Sequence, residues 1–149
     1  MRDVKEMIQE VVNLAQRVYK DPAPGGFGRT LRREKAGQEK LKQRILSVSA
    51  HKSVLTEKQV VLYEELDLGG RSDLFVDDSF VIEVKNVNSL RPADETQILD
   101  YMRALPCLYG VLISFPNDRQ PSVVAKMFWK EDADEEDASS KPLYPKGVK

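Results

Sequence analysis

Apolar residues recur at Val4, Met7, Ile8, Val11, Val12, Leu14, Ala15 and Val18, the i, i+3, i+4, i+7 spacing of a helix with one buried face over residues 3–19. The segment DPAPGGFG ends it, because Pro22, Pro24, Gly25, Gly26 and Gly28 cannot sustain a helix. A second helix is predicted from about Arg29 to Leu46, with Leu31, Leu41 and Ile45 on one side and a strongly basic remainder. KQVVLYEEL (58–66) then reads as a strand, Leu68, Gly69 and Gly70 turn the chain, and Arg71 to Val76 returns as a second strand. Asp77, Asp78 and Ser79 make another turn, and Phe80 to Val87 completes a three-stranded meander. Pro92 opens a helix to about Leu105, with Asp94 and Glu95 in the first turn, where the helix dipole favours negative charge. Leu108 to Phe115 has the apolar character of a strand covered on both faces, PNDRQP is a loop, and Ser122 to Trp129 is the last predicted strand.

The remainder, 130–149, carries six acids in seven positions followed by small residues, prolines and lysines, and is expected to be a disordered tail. The predicted organisation is therefore one domain over residues 1–129 and an acidic tail. With 149 residues, 41% of them hydrophobic, the chain is long enough for one core of that kind. The formal net charge of -1 conceals a division. Residues 1–57 hold 12 Lys/Arg against 7 Asp/Glu, whereas residues 58–129 hold 7 against 11. A basic part beside an acidic one suits a protein that grips a polyanion with one surface and holds cations with another, and equally suits two ordinary solvated faces. The single cysteine, Cys107, excludes an intramolecular disulfide, a four-thiolate zinc site and an iron–sulfur cluster built within the chain. No apolar run approaches the ~20 residues of a membrane span and the first residues have no signal-peptide core, so a soluble, intracellular protein is expected, with cytoplasm and nucleus unresolved.

Candidate chemistry lies in DLFVDDSFVIEVK (73–85). In the third strand side chains alternate, so Val81, Glu83 and Lys85 share one face and Phe80, Ile82 and Val84 the other. Charged groups in an otherwise apolar strand are costly unless paired. A hairpin of this length brings Asp73 beside Glu83, and two converging carboxylates repel unless a hard cation sits between them. Mg²⁺ or Mn²⁺ fits such a pair, and Lys85, one side-chain period further on, is placed to hold a water or a phosphate. Those are parts that phosphodiester hydrolysis needs. The same pattern also describes a salt bridge at a sheet edge. The next segment, ETQILDY, favours a site, because it puts Gln97 and Tyr101 at i and i+4 on one helix face.

The stretch GGRSDLFVDDSFVIEVKNVNSLRPADETQILDYMRAL resembles the core of the PD-(D/E)XK nuclease superfamily, in particular its RecB-like branch with a helical Gln-x-x-x-Tyr motif, and most nearly the GxxExxY proteins. The likeness continues through YGVLISFPND, and VVNLAQRVYK followed by APGGF is similar to the helix and glycine turn with which those proteins begin. The resemblance implies an α/β fold with a restriction-endonuclease-like core, a central mixed sheet flanked by helices. It implies metal binding by Asp73, Glu83 and the backbone carbonyl of Val84, with Mg²⁺ or Mn²⁺ as cofactor, a catalytic role for Lys85, and Gln97 and Tyr101 contacting the surroundings of the metal and the nucleic-acid backbone. Ser72 replaces the proline of the superfamily's name, and Arg29 stands where the N-terminal glutamate of GxxExxY proteins is expected. On a helix Leu31, Glu34, Gln38, Leu41 and Ile45 fall within about 80° of one another, whereas Glu39 lies about 140° from Glu34. Glu34 is thus a candidate for the missing acid, beside the alternatives that Glu39 supplies it or that it is absent.

The expected function is metal-dependent hydrolysis of DNA, with RNA a less favoured substrate, in repair, recombination or defence. The alternative is an inactive nuclease-fold module that binds nucleic acid or a protein partner. Arg29, Arg32, Arg33, Lys35, Lys40, Lys42 and Arg44 would track phosphates or simply form a solvated face, and the acidic tail would contact a basic partner or cover that helix. Phe128 and Trp129 are expected to end their strand against the core; if exposed, they would suit a homodimer interface. His51 lacks a surrounding nucleophile motif, and Cys107 reads as a small buried residue.

Overall fold

The computed structural model describes residues 3–20, 60–63, 73–76, 80–104, 107–116, 120–132 and 134–146, the segments 60–63 and 73–76 by their backbone alone. Helix α1 spans Val4–Lys20 and is capped by Asp3, whose side-chain oxygen accepts from the Lys5 N–H at 3.1 Å. Strands β1 (Val60–Tyr63), β2 (Asp73–Val76) and β3 (Phe80–Lys85) precede helix α2 (Pro92–Ala104), and β4 (Tyr109–Ser114), β5 (Val124–Trp129) and β6 (Ser139–Leu143) follow it. The predicted helix at 29–46, with Glu34, Glu39 and the basic run, lies outside the described residues, as do Ser72 and the turn positions 77–79.

The six strands form one mixed sheet in the order β1-β2-β3-β4-β5-β6. Every neighbouring pair is antiparallel except β3 and β4, which run parallel with Glu83 opposite Leu112 and Lys85 opposite Ser114. Parallel neighbours need a crossover connection, and α2 supplies it. This is the α/β architecture that the sequence leads one to expect.

Alternation along β3 sorts its residues between two cores. Phe80, Ile82 and Val84 pack with Met7, Ile8, Val11, Ala15 and Val18 of α1, whereas Val81 packs with Ile98, Tyr101 and Met102 of α2. Each large apolar side chain buried in this way contributes about 1.5–3 kcal/mol. The polar side chains of α1 tie down the connection into β5. Gln16 accepts from the Val123 N–H at 2.9 Å and donates to the Pro121 carbonyl at 3.2 Å, and the Tyr19 hydroxyl donates to the Gln120 carbonyl at 3.0 Å. α2 approaches β4 so closely that a Cβ on Gly110 would lie 2.9 Å from Met102 Sδ and 3.1 Å from Ile98 Cγ1. Among the described residues no helix is long and apolar enough to cross a membrane.

The tail departs from expectation. Rather than being disordered throughout 130–149, it returns as β6 along β5, with Leu143 opposite Ala125 and buried in the α1 core. Gln9 of α1 donates to the Tyr144 carbonyl at 2.8 Å, and Asn13 accepts from the Lys146 N–H at 2.8 Å. β6 therefore belongs to the fold, and β5 is not the last strand. Pro142 lies within β6 opposite Lys126. An edge strand tolerates it, because the donor that proline lacks has no obligatory partner there. The acidic stretch itself is largely exposed at the surface.

Candidate active site

β3 is the third of six strands, so its charges are not at a sheet edge. Glu83 has no accessible surface and Lys85 only 3%. Two such charges are tolerated in an interior only when partners and hydrogen bonds replace the lost water. Lys85 Nζ lies 3.3 Å from Glu83 Oε1 and 3.8 Å from Asp94 Oδ1, and it donates to Gln97 Oε1. The three donors of one ammonium thus face two carboxylates and an amide oxygen.

Asp94 is the third residue of α2 and is 2% exposed. Its Oδ2 accepts from the Arg91 backbone N–H at 2.9 Å and from Arg91 Nε at 3.2 Å, while Oδ1 accepts from Arg91 Nη2 at 3.1 Å. The backbone bond is the reciprocal half of a capping box, and Pro92 occupies the first helical position, where its missing donor costs nothing. Burial works against the ionised form of Asp94. Hydrogen bonds from the Arg91 side chain and backbone, with the attraction of Arg91 and Lys85, outweigh it and hold the carboxyl below its ordinary 3.8. The Arg91 guanidinium is pushed further up, chiefly by its hydrogen bond to Asp94 and then by that charge.

The backbone around Lys85 is also fixed. The Phe115 N–H donates to the Lys85 carbonyl at 2.9 Å, and the Ser114 hydroxyl both accepts from the Val87 N–H and donates to the Val87 carbonyl. Asn86 and Val87, predicted as strand, lie outside the ladder: Ser114 holds Val87, and the Asn86 side-chain amide donates to the Phe115 carbonyl. From the first turn of α2 a second ion pair, Glu95 to Lys126 at 3.0 Å, reaches β5.

Asp73 opens β2. The register sets Leu74 opposite Ile82, Phe75 opposite Val81 and Val76 opposite Phe80, while Asp73 pairs with Tyr63 of β1. Val84 lies between Glu83 and Lys85 with its side chain in the α1 core. Gln97 is half-buried and engages Lys85, whereas Tyr101 is fully buried beside Ile98 and Met102. The structure thus brings Glu83, Lys85 and Gln97 together, starts the neighbouring strand β2 at Asp73, and puts Tyr101 into the packing of the α2 core. Among the described residues no three His, Cys, Asp or Glu side chains gather as a metal site.

Arg91 and Asp94 are the members of the cluster that sequence reasoning missed. In the sequence Asp94 has only a favourable place in the first turn of a helix. The available signal was spacing: 94, 97, 98 and 101 share one helical face, so the acid points the same way as Gln97 and Tyr101. Three other residues carry no chemistry of this kind. Burial pushes the Cys107 thiol up to about 11, although the Tyr109 carbonyl accepts from it at 3.3 Å, and at that value it is a poor nucleophile. Phe128 is buried in the α2 core, and Trp129 is partly covered with Lys5 Nζ 4.9 Å above its ring, so the pair packs against the core. A cavity of about 520 Å³ lies at the C-terminal end of α2, lined by Met102, Arg103, Cys107, Lys130 and the acids 134–136, away from the charged cluster at its N-terminal end.

Comparison with known proteins adds one firm result. The family model of the PD-(D/E)XK nuclease superfamily matches residues 5–126. No curated protein and no solved structure matches the chain significantly. The matched span runs from α1 into β5 and includes Asp73, Glu83, Lys85 and the α2 face that meets them; the chain belongs to the PD-(D/E)XK nuclease superfamily, which indicates cleavage of nucleic-acid phosphodiester bonds by enzymes that generally use divalent metals such as Mg²⁺.

Proposed function

We propose that this protein is a Mg²⁺- or Mn²⁺-dependent deoxyribonuclease of the RecB-like branch, acting in DNA repair, recombination or defence. The observation that carries the reading is the buried Glu83–Lys85 pair in a central strand, met by Gln97 of α2. The Asp73-to-Tyr101 motif order and its likeness to GxxExxY proteins support the branch, and the RecB-like resemblance supports DNA over RNA.

The donors suit a hard divalent cation. Asp73 and Glu83 are carboxylates on adjacent strands, β2 and β3, and the Val84 carbonyl lies between Glu83 and Lys85 in the chain. The described cluster is already charge-balanced, with Glu83 and Asp94 against Lys85 and Arg91; Asp73 adds one negative charge that a cation would offset. When bound, the metal lowers the pKa of a coordinated water and neutralises charge on the phosphate. Lys85 then holds the water or phosphate through its ammonium, Gln97 fixes where that ammonium points, and Tyr101 braces α2 against the sheet. Glu34 is the proposed additional acid. Glu83 and Lys85 have almost no surface open to solvent in this conformation, so entry of a phosphate requires this face to open.

The test uses purified protein and end-labelled linear, circular and branched DNA with and without Mn²⁺. Asp73→Asn and Lys85→Ala are each expected to abolish metal-dependent cleavage while the circular-dichroism spectrum keeps its folded form. Cleavage that persists in both variants removes the proposal. Mn²⁺ and DNA binding without cleavage by the unaltered protein would make it an inactive binding module instead.

A further inference from the structure

We infer that Asp94 is a positioning residue for Lys85, and that through it the first turn of α2 sets where the Lys85 ammonium lies; this rests on the nuclease reading above. A carboxylate with 2% of its surface exposed, 3.8 Å from Nζ, is the third partner of an ammonium that pairs with Glu83 and donates to Gln97. Each of these partners constrains a different direction. Glu83 is on the same strand two residues earlier, Gln97 is one turn into α2, and Asp94 is at the start of α2.

Asp94 does not have the freedom of a metal ligand. Both of its oxygens are engaged by Arg91, Oδ2 by the backbone and Nε and Oδ1 by Nη2. A carboxylate with three of its roughly four acceptor positions taken in this way is a fixed negative charge more than an available donor. The fixing is local, because Arg91 and Asp94 lie three residues apart across a helix start that Pro92 predisposes. Arg91 is on the solvent side, with 59% of its side chain exposed, and Asp94 is on the sheet side. The pair therefore anchors Lys85 to the helix end without adding a second uncompensated charge to the interior. When Lys85 exchanges Glu83 for a water or phosphate, Asp94 and Gln97 are the contacts that keep its position.

Asp94→Asn retains size and an oxygen for the Arg91 N–H but removes the charge. With active protein, kcat on Mn²⁺-loaded DNA cleavage is expected to fall about 10- to 100-fold, the range that misplacement of a reacting group produces, with KM for DNA and Mn²⁺ binding unchanged. Arg91→Ala, at an exposed side chain, should lower kcat less and in the same direction, and it keeps the test available if Asp94→Asn does not fold. Arg103→Ala, which removes the exposed pair with Asp100 at the other end of α2, should leave kcat alone. A cycle of melting temperatures for Asp94→Asn, Lys85→Met and both together should be non-additive. Additive shifts, or an unchanged kcat in both Asp94→Asn and Arg91→Ala, overturn the inference. An inactive unaltered protein with the coupling intact overturns the nuclease reading and the positioning role with it, while leaving the Asp94–Lys85 contact standing.

Discussion

Helix α1 and helix α2 cover opposite faces of the same strands, yet the two interfaces are made of different chemistry. Beneath α1 the face of β3 is Phe80, Ile82 and Val84, all apolar and all buried. Beneath α2 the alternate positions of that strand read Val81, Glu83 and Lys85, and the helix answers with Ile98, Tyr101 and Met102 toward its C-terminal end and with Asp94 and Gln97 toward its N-terminal end. Six consecutive buried residues thus serve two purposes. One face supplies stability through area removed from water. The other holds charges whose removal from water costs more than their attraction reliably returns. A fold optimised for stability alone would have both faces like the first.

The sharpest way to break that comparison is to make the second face resemble the first. Glu83→Leu with Lys85→Met replaces a buried pair by apolar groups of similar volume, and such exchanges range from neutral to about 4 kcal/mol stabilising. Cleavage of DNA should be lost completely. Phe80→Ala is the mirror experiment: it should cost about 3–5 kcal/mol in urea unfolding and leave cleavage per folded molecule unchanged. If the double variant is destabilised as much as Phe80→Ala, the charges on the α2 face contribute to the fold in their own right and the division of labour fails.

A smaller perturbation sharpens the same point. An Ala at Gly110 puts its Cβ against Met102 and Ile98, and relief of that overlap requires Met102 to change rotamer or α2 to move outward. Overpacking of this kind costs about 1–3 kcal/mol. Because α2 also carries Asp94 and Gln97, Gly110→Ala should lower kcat measurably, whereas a comparable overpacking on the α1 face, Ala125→Val, should lower stability alone. Equal kcat for the two variants would mean that the site tolerates movement of its helix.

Much of this arrangement was legible in the sequence. The helical spacing from Val4 to Val18, the alternation from Phe80 to Lys85, Pro92 as a helix start and the apolar run to Phe115 each correspond to an observed element within a few residues. These are elements whose burial pattern has a clear period. β6 was missed because a five-residue edge strand that buries only Leu143, and contains Pro142, has no such period. Its place depends on β5 and on α1 side chains more than 100 positions away. At the site, Glu83, Lys85 and Gln97 were identifiable from motif spacing and do meet. Asp94 was not, because its role depends on how α2 is set against β3, and the register of a helix on a strand is a tertiary property. Arg91 follows from Asp94 and has no independent signature.

Asp94 also offers the gentlest test of how far the α2 face departs from the other. Because folding strengthens the acidity of Asp94, the folded chain binds fewer protons there than the unfolded chain, and stability rises with pH through that window. The contribution is therefore complete above the ordinary carboxylate value of 3.8 and is lost as pH falls through the lower value of the folded state. The groups that set it are Arg91 and Lys85, which both favour the charged form, against a burial that opposes it. In Asp94→Asn nothing titrates at this position, so the melting-temperature difference between the unaltered protein and this variant should be constant near neutral pH and shrink on the acid side of 3.8. Parallel curves for Asp94→Asn and the unaltered protein down to the lowest pH at which both remain folded would mean that Arg91 and Lys85 do not favour the charged form of Asp94 in solution, and that its carboxylate is held at the start of α2 by shape rather than by charge.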